Sequence, residues 1–594
     1  MGAPRLARGL RLIFAVTMMT LAAGCAEFKH EPGQGRAAAK STPYAPAASD
    51  TLFGNYLAGR FAGTMRDNKR AVRFYDRALA DDPGNAAILD RAFLLEVSNG
   101  DIEAAVARAE KIVATNPDMR LAALVLALRD VKRGDYAAAR AKLGQADSAI
   151  FNTLVNRLIS AWTLEAEGRT DDALSELNRL SSISAFDLFR RFHMALVLEH
   201  AGQLDRAGTA YRAAIEAGGD GAIRIVDSYG RFLERTGDTT AARALYDSFL
   251  LQSPDHPLIT AGLARLGKGT KPEPLIATPE QGIAEAIYDL ASALAQDRSV
   301  DLPIAYLQLT LYVYPDFDVA QALLADLFEV IDRAADANAL LARISRESPL
   351  ANHAAIETAL NLDHMNQADA AIAALRSIAS HDPQNLRALV SLGDVLRNHD
   401  RFSEAVDAYS RAIATVDPAD KRYWSLFYAR GVAYDRAGHW PEAERDFQYA
   451  LSLDANQPLV LNYLGYSWVD HGEKLKDALA MIERAVELMP DDGFIVDSLG
   501  WAYYRIGNYD LATAYLEHAV SLRPEDPTIN DHLGDAYWRV GRELEARFQW
   551  RHALALRPDE KQVPVIERKL EYGLEDAAPR RTPAAAKAQP LPTP

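Results

Sequence analysis

Residues 527–558 read PTINDHLGDAYWRVGRELEARFQWRHALALRP. Leu533, Gly534 and Tyr537 mark one helix, Ala546, Trp550 and Ala553 mark a second, and Pro558 stops it, because proline lacks an N–H and cannot continue a helix. Two antiparallel helices approach closely only where facing positions lack bulk, here the glycine of the first helix and the alanines of the second. Large residues then fill the gaps between successive pairs.

The pattern recurs upstream. Gly431, Gly465, Gly500 and Gly534 are separated by 34, 35 and 34 residues, and each is followed about twelve places later by Ala443, Ala478, Ala512 or Ala546. Pro524 and Pro558 end second helices, while Asp491-Asp492 and Asp526-Pro527 sit at the turns, where carboxylates cap the following helix. These marked positions resemble the tetratricopeptide-repeat (TPR) consensus. The frame returns with Gly59, Ala71, Tyr75, Ala78 and Pro83, then Ala105, Ile112 and Pro117, and later Gly230, Ala242, Tyr246, Phe249 and Pro254. Between Leu121 and Gly221 it is looser, with Ala139, Ala173 and Ala207 holding the second helix.

The expected architecture is all-α: a TPR-type helix-turn-helix solenoid in two arrays with a C-terminal capping helix. An N-terminal array spans 51–267, and a linker at 268–280, carrying Gly269, Pro272, Pro274 and Pro279, breaks the period. Divergent helical repeats follow over 281–385, where Ile287, Leu290, Ala291 and Leu294 keep helical spacing. The regular array spans 386–560, and Val565, Ile566, Lys569 and Leu570 form an amphipathic capping helix within 561–574. The Ala/Pro-rich tail, 575–594, has nothing to bury and is expected to be disordered.

The first 24 residues read as a secretory leader. Arg5, Arg8 and Arg11 precede an apolar stretch from Leu12 to Ala23, too short to cross a bilayer. Leu21-Ala22-Ala23-Gly24-Cys25 resembles the lipobox of bacterial lipoproteins, which implies removal of 1–24 and acylation of Cys25, the only cysteine. Residues 25–50 then form a Pro/Gly/Ser/Ala-rich tether, and Ala26 in place of an aspartate implies an outer-membrane protein facing the periplasm.

Composition excludes several classes. The chain has 594 residues, 49% hydrophobic and 25% charged, which suits folded protein, and 65 basic against 81 acidic residues give −16. That balance disfavours nucleic acid as a partner. Gly262 to Lys268 has the spacing of a phosphate-binding loop, but Gly269 stands where Ser or Thr would hold magnesium, and the stretch follows a helical pattern rather than a strand. The 13 histidines are scattered and no H-E-x-x-H occurs. The expectation is a protein without enzymatic activity or cofactor.

The binding surface is expected on the first helices, which line the inner side of a stacked solenoid. Setting each marked glycine at the eighth place puts Tyr428, Asp435, Asn462, Tyr466, Asp497, Trp501, Tyr504, Asp531, Asp535 and Trp538 on that side, flanked by Arg436, Arg505 and Arg539. Tyr466 and Tyr504 could equally pack between repeats, and Trp468 and Trp550 take core places. Asn462 to Pro558 is similar to envelope TPR lipoproteins, one of which is the outer-membrane adaptor of a periplasmic carboxyl-terminal processing protease. That resemblance implies a scaffold whose partners are a periplasmic protease and cell-wall hydrolases. An assembly factor for exopolysaccharide, pilus or outer-membrane export is the alternative, and a direct enzyme a more distant one.

Overall fold

The computed structural model describes residues 51–574 apart from 117–118, 146–149 and 296–299. The expected leader, Cys25, the tether and the tail lie outside the described residues. Among the described residues there are thirty α-helices and no strand. The chain divides into two compact units between Ala374 and Leu375.

The first unit opens with six helix pairs: α1 (Leu52–Thr64) with α2 (Asn68–Asp81), α3 (Ala86–Asn99) with α4 (Ile102–Thr115), and α5 (Arg120–Lys132) with α6 (Tyr136–Gln145). Next come α7 (Ile150–Ala166) with α8 (Thr170–Asn178), α9 (Asp187–His200) with α10 (Leu204–Glu216), and α11 (Ile223–Thr236) with α12 (Thr239–Leu250). The looser stretch keeps its register through turn glycines that sequence reading passed over. Gly100, Gly134, Gly168 and Gly202 follow one another at intervals of 34 residues, all at positive φ (80°, 75°, 74° and 73°), where only glycine escapes a Cβ penalty at the end of a helix.

The helices after that series double back. α13 (Pro257–Lys268) ends at Gly269, whose φ of 69° makes a left-handed cap, so the loop-like glycines of 262–269 are a helix terminus. α14 (Pro279–Leu294) and α15 (Asp301–Val313) pack on each other, α14 also on α7 and α9, and α15 on α3 and α5. These are all first helices of their pairs, so the pair lies along the inner face of the first unit. α16 (Asp318–Val330), α17 (Ala334–Leu341) and α18 (Ala351–His364) continue the unit.

The expected boundary at 268–280 is therefore corrected: that stretch lies inside the first unit and is held there. Lys271 Nζ donates to Arg235 O (3.0 Å), Ile276 is buried, and Thr278 and Gln281 form a capping box on α14. Proline and glycine broke the sequence period without breaking the packing.

Polar contacts fix the α14–α15 pair in register. Arg224 on α11 donates to Glu285 from Nε (2.8 Å) and Nη2, and the Glu285 carboxylate is fully buried. His193 Nε2 lies 3.1 Å from Asp289, Tyr136 donates to Glu280 (2.8 Å), and Tyr312 donates to Glu103 (2.9 Å). A methyl group at Gly282 would overlap the Trp162 ring. α14 is buried on more than its apolar face: Ile283, Ala284, Ala286, Ile287, Tyr288, Leu290 and Ala291 are enclosed, and so is Glu285 on the polar stripe that meets α9 and α11.

After α19 (Ala368–His381), the second unit repeats one motif five times: α20 (Leu386–Asn398) with α21 (Phe402–Ile413), α22 (Trp424–Arg436) with α23 (Trp440–Leu453), and α24 (Pro458–His471) with α25 (Leu475–Leu488). The last pairs are α26 (Gly493–Arg505) with α27 (Tyr509–Leu522) and α28 (Pro527–Arg539) with α29 (Glu543–Ala555), and α30 (Val563–Tyr572) packs on α29. The small-residue rule holds at each crossing. A methyl group at Gly431 would sit 2.7 Å from Phe447, one at Gly500 2.6 Å from Leu516, and one at Gly534 2.5 Å from Trp550. Trp468 and Trp550 are core residues. No described helix is long and apolar enough to cross a membrane.

The Arg224–Glu285 pair gives the first test. Glu285→Ala leaves a buried guanidinium with only Asp227 nearby, at 3.9 Å, and is expected to cost roughly 3–5 kcal/mol. Arg224→Met/Glu285→Leu should recover most of that loss, read as the midpoint of denaturant unfolding.

Candidate functional site

The inner face of the second unit is formed by α20, α22, α24, α26 and α28, and the expected site residues divide there into three groups. Tyr428 is a core residue. It packs against Phe447 (6.0 Å between centroids) and Tyr463 (6.0 Å), so its assignment to the groove is corrected: the ring fills the gap between adjacent pairs.

Asp531, Asp535 and Trp538 are covered by the capping helix. Lys569 Nζ donates to Asp531 (2.7 Å) and to Asp535 (2.9 Å), and Trp550 Nε1 donates to the other oxygen of Asp535 (2.9 Å). Burial pushes the Asp535 carboxyl up to about 6, with Lys569 opposing the rise and Asp531 adding to it. Burial opposes the Lys569 charge, yet Asp535 and Asp531 together raise its pKa. Trp538 packs 5.5 Å from Trp550, and a methyl group at Gly573 would overlap its ring. These three residues are therefore withdrawn from the open groove, because α30 and the turn after it occupy the space a ligand would need.

The remaining residues lie along α22, α24, α26 and α28, with Asp497 buried beneath the others. Trp501 stacks on Tyr504 (4.7 Å, 8° between planes) and on His532 (4.0 Å, 16°). Arg539 Nε donates to the Tyr504 hydroxyl (3.2 Å), and Arg505 pairs with Asp470 (3.1 Å). Tyr466 is half-buried beside them, its hydroxyl pushed up to about 12 by burial and by the charges of Asp497 and Asp470. Asp435 accepts from Tyr463 (3.0 Å), and Arg436 reaches Asp400 (3.6 Å) and stacks over Phe402 (4.9 Å). Asn462 faces the same side, and its Oδ1 is buried without a hydrogen-bond donor among the described residues.

His532 was not singled out from sequence, although it stands one repeat, 35 residues, after Asp497. Its Nδ1 lies 3.0 Å from both oxygens of Asp497, and both groups are buried. Burial alone would lower its pKa, but the charge and hydrogen bonds of Asp497, together with Asp531 and Asp535, raise it. The His532 ring bridges α26 to α28 and stacks against the Trp501 ring. Among the described residues no group of three or more His, Cys, Asp or Glu side chains is disposed to hold a metal. What this surface offers is aromatic faces, amide and guanidinium donors and carboxylate acceptors, the chemistry of peptide recognition.

A raised folded-state pKa means that the His532–Asp497 contribution is fully present below the ordinary histidine value and is lost as pH rises through the folded value. His532→Asn should therefore lower the unfolding midpoint most near about pH 6 and least near about pH 9. A gap of equal size at both pH values would show that the charge contributes nothing.

Comparison with known proteins finds the same repeat. A tetratricopeptide repeat-like domain is matched over residues 70–235, and tetratricopeptide repeats are matched over 364–427, 428–493 and 497–526. TPR repeat-containing protein PA4667 of Pseudomonas aeruginosa is 29% identical over 122 residues, 20% of this chain and 20% of that protein. Human tetratricopeptide repeat protein 13 is 28% identical over 142 residues, 24% of this chain and 16% of that protein. The shared stretches thus span no more than a fifth of these relatives' own lengths. Among solved structures, the Cut9–Hcn1 hetero-tetramer of the APC/C aligns over 88% of this chain and 96% of that one, at 16% identity and a TM-score of 0.38. A tetratricopeptide repeat protein from Parabacteroides merdae aligns over 43% of this chain and 97% of that one, at 16% identity and a TM-score of 0.35. Proteins of this repeat family typically serve as non-catalytic scaffolds that bind other proteins. With the repeat models on both units and the glycine-to-bulk crossings they share, the chain is a tetratricopeptide-repeat protein.

Proposed function

We propose that the protein is a lipid-anchored scaffold of the cell envelope that holds an extended segment of a partner protein in the inner groove of its second unit. The observation that carries this reading is the contrast between two inner faces built from the same repeat. The first is filled by α14 and α15 of the same chain, whereas the second presents Tyr466, Trp501, Tyr504 and Arg539 with no helix of its own unit laid across α24 and α26 among the described residues.

The leader and Cys25 support placement at the outer membrane facing the periplasm, with the acyl chains as the anchor. Resemblance to envelope TPR lipoproteins makes a periplasmic protease, delivered to cell-wall hydrolases, the most concrete partner. The protein contributes no chemistry of its own in this scheme; it raises the local concentration of enzyme and substrate at the membrane.

Affinity purification of the full chain from envelope extracts, beside a Tyr466→Ala/Trp501→Ala variant, tests this. Truncating two central aromatics should reduce capture of a defined partner by roughly 10-fold or more, with the circular dichroism of the variant unchanged. Equal capture by both proteins would remove the groove from the account.

A further inference from the structure

α1 carries an apolar stripe that faces away from its own pair. Phe53, Leu57, Phe61 and Met65 follow one another at intervals of four residues and are 76, 61, 68 and 66% exposed, the densest such series among the exposed large hydrophobics. The opposite side of the helix, Asn55, Gly59 and Ala62, is buried against α2, where a methyl at Gly59 would lie 2.7 Å from Tyr75. The stripe is thus not a misplaced core face, since α1 already buries another.

Its surroundings are cationic in a chain of net charge −16. Over α1 and α2, from Thr51 to Asp81, the basic residues are Arg60, Arg66, Lys69, Arg70, Arg73 and Arg77, all exposed, against Asp67, Asp76 and Asp81. Arg60 lies three places after Leu57, on the same flank of the helix, and Arg66 directly follows Met65. An apolar helical face bordered by Arg and Lys is the form of an element that lies in a membrane interface, with its rings among the acyl chains and its cations among anionic headgroups.

We propose that this face of α1 docks on an anionic lipid bilayer and so sets the protein down on the membrane by its N-terminal end. The proposal rests on the anchoring reading above. Cys25 precedes Thr51 by 26 residues, which makes α1 the described helix nearest in sequence to the expected acyl chains. The acyl chains would supply the anchor, and the apolar, basic helix a second contact with the same bilayer. A second copy of the chain fits less well. A two-fold contact would bring the two basic rims together, and four side chains on one helix fall short of the roughly 800 Å² per partner that a stable dimer buries.

The test uses the full chain carrying Cys25→Ala and Leu57→Cys, labelled at position 57 with bimane, and a matched protein labelled at Leu251→Cys, a position 85% exposed. With vesicles of phosphatidylglycerol containing doxyl-labelled lipid, the label at 57 should be quenched at least ~3-fold more than that at 251. Phe53→Ser/Phe61→Ser, both at exposed positions, should abolish the difference, as should phosphatidylcholine vesicles. Equal quenching at the two sites overturns the proposal. So does emission from position 57 that shifts with protein concentration before lipid is added, which would assign the stripe to a second copy, or a label already shielded in dilute protein, which would assign it to residues 1–50. The mass of native Cys25 reports acylation separately, so anchoring and docking can fail independently.

Discussion

A missing side chain at one position of each first helix of the second unit, and of α1 and α11 in the first, is what the packing of these pairs depends on. Where glycine faces the bulky residue sixteen places later, as Gly431 faces Phe447 and Gly534 faces Trp550, the two helices close to a distance no larger residue permits. That contact fixes the crossing of each pair, buries the alanines at 443, 478, 512 and 546, and leaves an apolar side for the next pair to cover. Periodicity in the sequence is the direct trace of this constraint. The first helices of successive pairs then share one side, and that side is where function can reside.

The two units use this side differently. In the first, α14 and α15 lie against α3, α5, α7 and α9, and a buried ion pair, a histidine–aspartate contact and the Gly282–Trp162 approach hold them there. Such a face is a core rather than a binding groove. In the second unit the inner side carries stacked rings backed by a buried His532–Asp497 pair, and among the described residues its far end is covered, where Lys569 and Gly573 close over Asp531, Asp535 and Trp538. The open stretch therefore centres on α24 and α26.

Helix pairing was legible because it follows local rules: glycine, alanine and proline at fixed offsets, read within one repeat. The filling of the first inner face was not, since Arg224 meets Glu285 across 61 residues and Gln308 meets Ser98 across 210, and no local pattern encodes such distances. One signal was present. α15 is apolar nearly all round, as in Leu302-Pro303-Ile304-Ala305-Tyr306-Leu307, which suits an enclosed helix better than the outer layer of a solenoid. Within the site, Trp501, Tyr504 and Arg539 were placed by register alone, whereas Trp538 occupied an equivalent position and is covered because the last repeat needs a cap. Tyr428 failed for a different reason: its ring is the filler between pairs, and register cannot separate a filler from a groove residue.

The central claim is that the second inner face meets a partner while the first meets only its own chain. The most direct measurement places a photo-crosslinking benzoylphenylalanine in living cells at Tyr466, on α24, or at Tyr312, on α15. The account predicts heavy adducts with another protein from position 466 and only intrachain products from position 312. Partner adducts at 312 with none at 466 would contradict it.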